Sequence, residues 1–196
     1  MHANFSTMLP VLLLCALLGA AVWHDVRSRR IPNALVFSGA VAALALHAAL
    51  APGSGLFSEP FGGLGMLNAL GGLGLGLALL LPMYVLRAMG AGDVKLMAMV
   101  GAFVGPQAIL AVVLSTLLAG GVLALAVALA NGKLVSMLRN TYQLVLHGML
   151  SSLSGQAVRI EAPAAPSGKL PYAIAIAVGT LAYLAFAGVS GKGLFS

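Results

Sequence analysis

Acidic side chains are nearly missing from this chain. Only four of its 196 residues are Asp or Glu, against ten Lys or Arg, and charged residues of both signs make up 7% of it. Hydrophobic residues make up 61%, and the mean hydropathy is +1.06. No water-soluble single domain has that balance. Cysteine is almost absent too. The single Cys15 excludes an intrachain disulfide, and no CxxC pair exists to hold zinc. Cys15 lies in an apolar run and reads as a small buried apolar residue. The four histidines have no metal-ligand spacing, so no metal and no cofactor is expected. Alternation of polar and apolar residues is also missing, which excludes a membrane β-barrel.

What is present is a series of continuous apolar runs. About 20 apolar residues are needed to cross a bilayer core as a helix, and helices satisfy their own backbone groups there. The expected fold class is therefore all-α, a polytopic membrane protein with about six transmembrane helices. The runs place spans near 8–23, 34–50, 61–86, 94–104, 107–130 and 170–189, in a single membrane domain over 1–196. Positions 96 to 132 carry no charge. One straight helix of that length would be about 55 Å long, too long for one crossing. Gly105-Pro106 offers the break. Residues 131–169 form the longest polar region; its first half mixes apolar residues with Arg139 and His147, as a surface-lying segment would. The first run reads as a retained helix: no Lys or Arg precedes it and three arginines follow, the reverse of a cleaved signal. The stretch "GGLGLGLALL" in the third span would let helices pack closely.

Charge then orients the chain. With six spans, Arg27, Arg29, Arg30, Arg87, Lys95, Lys133, Arg139, Arg159 and Lys169 fall on one side and Lys192 on the other. The positive-inside rule makes the crowded side cytoplasmic, with both termini outside. The net charge of +6 thus speaks for orientation and contact with anionic lipid, not for nucleic acid.

Two of the four acids, Asp25 and Asp93, land on that same side; Glu59 lands opposite, and Glu161 lies in the polar linker. Asp25 closes the first span, where a carboxylate opposes the helix dipole. The bland reading is a surface charge offset by Arg27, Arg29 and Arg30. Asp93 opens the fourth span, where a carboxylate can cap free N–H groups. The functional reading keeps that geometry and adds clearance. Gly90 and Gly92 remove side chains beside Asp93, so a substrate backbone could approach. Two close carboxylates cannot easily ionise together, so such a pair can hold a water, one taking its proton while the other donates to a scissile carbonyl. His24, beside Asp25, reads as an interfacial residue.

"HDVRSRRIPN" and "GAGDVKL" resemble the two signature segments of type IV prepilin peptidases, membrane aspartic proteases of the GxGD class. The first matches at Asp25, Arg27, Arg30, Ile31, Pro32 and Asn33; the second at Gly90, Gly92, Asp93, Lys95 and Leu96. "LPYAIAI" resembles a third family segment through Pro171 and Tyr172. The resemblance implies a GxGD-type architecture in the bacterial inner membrane, with Asp25 and Asp93 as the catalytic pair. Arg30, Pro32, Asn33, Lys95, Pro171 and Tyr172 would shape the site. It implies a membrane-inserted prepilin partner whose basic leader is cut at the cytoplasmic face, after a glycine. Without a cysteine-rich insert, the chain is similar to the short forms serving tight-adherence (Flp) pili, which puts N-methylation in doubt. A proton-coupled transporter would place its acids near the midplane between repeats. A membrane scaffold would tolerate loss of both aspartates. A presenilin-type protease would carry its first aspartate inside a span.

Overall fold

The computed structural model describes residues 5–57, 61–86, 89–132, 139 and 171–190. Five helical elements stand among them: α1 (Phe5–Ser28), α2 (Asn33–Ala49), α3 (Met66–Val85), α4 (Ala91–Ala130) and α5 (Tyr172–Ser190). The chain divides into two compact units, Met1–Gly120 with Pro171–Ser196, and Gly121–Leu170. In the second, α4 runs to Ala130 and ends in a turn where Asn131 Nδ2 donates to the Val127 carbonyl at 2.7 Å. Glu59, Arg87, Lys133, Arg159, Glu161, Lys169 and Lys192 lie outside the described residues, as does most of the polar region, His147 included.

Among the described residues, three helical stretches are long and apolar enough to cross a membrane: Leu9–Ser28, Met66–Val85 and Ala91–Ala130. Helices α2 and α5 are apolar but shorter. Large apolar side chains such as Leu12, Val41, Leu67 and Leu118 point outward, as in a protein solvated by lipid. The chain is a multi-pass, all-helical membrane protein.

The long helix α4 is broken at Gly105, whose φ of 82° and ψ of 173° no helix contains. Glycine is needed there because L side chains rarely adopt that φ. Pro106 has no N–H to continue the ladder. The two arms fold back on each other. Asp93 on the first arm is within electrostatic reach of Tyr172. Gly120 on the second arm packs against that same tyrosine ring. A straight helix would hold those two positions about 40 Å apart. The first arm, down to Val104, is the centre of the bundle: Leu96, Met97, Met99, Val100 and Phe103 are fully buried. It is apolar all round because protein covers it all round, and a helix so covered can be short.

Close packing around this arm uses small residues. A methyl group at Gly72 would run into the Gly101 carbonyl, and one at Gly76 into that of Met97. The glycines of α3 thus bring its backbone against α4, as "GGLGLGLALL" led one to expect. Helix α1 packs on α2 and α5, and α2 on α3.

Several boundaries differ from the sequence reading. The first helix continues past Trp23 to Ser28, so Asp25 lies inside its last turn. It stops where Arg29 turns left-handed, at φ 53°, and donates its N–H to the Asp25 carbonyl at 2.9 Å. Residues 61–65, expected to be helical, belong to a loop with bridges Pro52↔Gly63 and Gly55↔Phe61. Gly62, Gly63 and Gly65 in that stretch favour turns over helix. The fourth helix begins at Ala91, so Asp93 sits in its first turn and not before it.

Candidate active site

Four chain segments converge at one end of the first unit: the end of α1, the start of α2, the start of α4 and the start of α5. Asp25 comes from α1 and is buried, 8% exposed. At a helix C-terminus a carboxylate faces the negative end of the dipole. Helix α5 offsets this, because the Ala173 N–H in its first turn donates to Asp25 Oδ2 at 3.2 Å. The first N–H groups of a helix have no partner within it, and they favour an anion. Pro171, just before α5, accepts the Ile174 N–H at 3.1 Å and shapes that first turn. The third family-like segment therefore acts through its backbone on the first aspartate.

Asp93 is also buried, 9% exposed. Its Oδ2 accepts the Gly90 N–H at 3.1 Å, while its own N–H donates to the Gly90 carbonyl at 3.2 Å. This is the acidic half of a capping box, with Gly90 at the N-cap. Asp93 lies within reach of the charge on Asp25, and Tyr172 lies within reach of Asp93. The structure thus brings Asp25, Asp93 and Tyr172 together. The Tyr172 ring also rests in the space left by Gly120.

The glycines beside Asp93 differ in what they do. A methyl group at Gly90 would sit 3.3 Å from Asp93 Oδ2, tighter than ordinary contact, so the glycine lets its own N–H approach that oxygen. The space beside Gly92 is taken by the chain itself: Ile31 Cβ would be 3.3 Å from a side chain there. Lys95 Nζ donates to Asn33 Oδ1 at 3.0 Å, joining the two motifs directly. Pro32 is the N-cap of α2, with φ −61° and ψ 132°, and starts that helix immediately before Asn33. Arg30 and His24 are exposed at this end, and Arg27 stacks over Trp23 at 5.7 Å. Among the described residues no group of His, Cys, Asp and Glu could hold a metal ion.

Sequence reasoning missed two participants here and one buried histidine at the other end of the unit. Ala173 acts through its N–H, which no side-chain motif announces. Ile31 was matched as part of a motif without a role. His47, 2% exposed, lies at the far end of α2, where Nδ1 accepts the Leu64 N–H at 3.0 Å. Its Nε2 then carries the proton and donates to the Phe103 carbonyl at 3.2 Å. That carbonyl is one the break at Gly105-Pro106 leaves without its helical partner.

Two buried carboxylates, each holding a backbone N–H at a helix start, form a site suited to activating water. No curated protein and no solved structure shows a significant match to the chain. A family model described as the type IV leader peptidase family matches residues 12–125, a stretch that spans both aspartate motifs and more than half of the sequence. On that match and this geometry, the chain belongs to the type IV leader peptidase family and is an aspartic prepilin peptidase.

Proposed function

We propose that Asp25 and Asp93 are the catalytic dyad and that the substrate is a Flp-type prepilin. The basic leader of that membrane-inserted substrate would be removed at the cytoplasmic face of the inner membrane, after a glycine. The observation that carries this reading is the convergence of two buried carboxylates from α1 and α4, with the N-terminus of α5 on Asp25. In the proposed reaction one carboxylate takes a proton from a water held between the pair. The other, protonated, donates to the scissile carbonyl as the water attacks it. Collapse of the tetrahedral intermediate breaks the C–N bond: the carboxyl that took the water's proton gives it to the departing amine of the mature pilin, and a gem-diol hydroxyl returns a proton to the other carboxylate, leaving the leader as a carboxylic acid. No cofactor is needed.

The reading carries further parts with it. A single membrane peptidase domain crosses the membrane six times, α4 supplying two crossings, with both termini outside the cytoplasm. The rim residues Arg30, Pro32, Asn33, Lys95, Pro171 and Tyr172 shape the site. The proposal is leader removal alone, as in short family forms, without N-methylation. Attraction for a basic leader comes from the two aspartates and anionic lipid, because the surrounding rim is itself basic.

The test is co-expression with a Flp-type prepilin and blotting for leader removal. Asp25→Asn and Asp93→Asn should each abolish processing while the enzyme still inserts at normal levels. Processing by either variant at the wild-type rate would refute the dyad. A pilin of another class cut equally well would refute the Flp assignment.

A further inference from the structure

Asp25 and Asp93 come from helices far apart in sequence, and a dyad works only if their separation is held closely. Functional groups must be fixed to within roughly 0.5 Å. Contacts local to the two aspartates should therefore do the fixing.

Such contacts are present. From Asp25 the chain passes through a tight turn: Arg29 N–H donates to the Asp25 carbonyl at 2.9 Å. Ser28 Oγ donates toward the carbonyls of His24, at 2.8 Å, and Arg30, at 3.2 Å. The turn delivers Ile31 into the space at Gly92, one residue before Asp93. Two residues on, Asn33 Oδ1 accepts from Lys95 Nζ, two residues after Asp93. The first motif thus grips the second on both sides of its aspartate, once by apolar fit and once by a hydrogen bond.

We infer that Ile31 in the Gly92 gap and Asn33 on Lys95 form a clamp that sets the separation of the two aspartates, making these four positioning residues. The inference rests on the dyad reading. Gly92 is there for the enzyme's own loop, not for the substrate. The Asn33–Lys95 bond lies at the exposed rim, so its role is register more than stability.

The clamp predicts a specific kinetic pattern. Gly92→Ala places a methyl 3.3 Å from Ile31 Cβ, tighter than ordinary contact, so the loop must yield by a few tenths of an ångström. A full 1 Å misplacement can cost 10²-fold, so kcat should fall about tenfold with KM little changed. Asn33→Leu should lower kcat a few-fold, and Asn33→Asp, which keeps an acceptor for Lys95, should restore it. The assay is leader removal from a reconstituted Flp-type prepilin, with enzyme normalised to the inserted amount. Asn33 is exposed, so its variants test the clamp even if Gly92→Ala fails to insert. Wild-type kcat in Gly92→Ala and Asn33→Leu would overturn the clamp, as would a loss confined to KM. An Asn33→Asp variant no better than Asn33→Leu would also overturn it. Asp25→Asn and Asp93→Asn run alongside: activity in either removes the dyad reading and the clamp with it. Their inactivity beside unaffected clamp variants removes the clamp alone.

Discussion

The two ends of the first unit use buried polar groups in opposite ways. At one end His47 has two ring nitrogens and two partners, the Leu64 N–H and the Phe103 carbonyl. The loop beside it is laced by Gly53 N–H to Gly63 carbonyl at 3.0 Å and Gly63 N–H to Ala51 carbonyl at 2.8 Å. Nothing on that ring is left over. At the other end Asp25 and Asp93 each accept one backbone N–H among the described residues. A carboxylate has about four acceptor sites, so each keeps capacity for water or substrate. A satisfied buried group holds a structure, whereas an under-used one can react.

That contrast can be broken by substitution. Asp93→Asn should cause the largest change, a loss of leader removal of about 10²–10⁴-fold, with thermal stability in detergent unchanged or raised. An unchanged rate would mean the aspartate end is structural like the other. His47→Ala should do the reverse. It leaves the Leu64 N–H and the Phe103 carbonyl unpaired in the interior, at a cost of about 2–4 kcal/mol. The readout is a lowered melting temperature, with activity per folded molecule kept. Loss of activity without loss of stability would tie His47 to the chemistry. A smaller effect is expected at Thr116, whose buried Oγ1 has no hydrogen-bond partner among the described residues and lies against Gly179 of α5. Thr116→Val replaces that hydroxyl with a methyl of similar shape and should stabilise by about 1 kcal/mol. A destabilised Thr116→Val protein would show that the hydroxyl has a role the geometry does not reveal.

The parts of this molecule that were legible in the sequence are those carried by local pattern. Continuous apolar runs gave the helices, and Gly105-Pro106 gave the break in α4, because a proline and a left-handed glycine act where they stand. The aspartates stood out because ionised groups are rare in so apolar a chain. What pairs with what was not legible. Hydropathy is satisfied by many helix arrangements, so it could not say that α5 would bring Ala173 to Asp25. Nor could it say that Ile31 would lie against the space at Gly92. The end of α1 was misplaced for a related reason. Its last turn is polar and basic, and it stays helical through hydrogen bonds from Ser28 and Arg29 that a hydropathy profile does not register.

The central claim is that Asp25 and Asp93 act as one unit on one water. Rates of leader removal for Asp25→Asn, Asp93→Asn and the double variant, measured on the same reconstituted prepilin, test it most directly. Residues that act as a unit lose their function together, so each single variant should fall to about the level of the double. A single variant that keeps substantial activity, or a double variant slower by the product of the two single losses, would contradict the account.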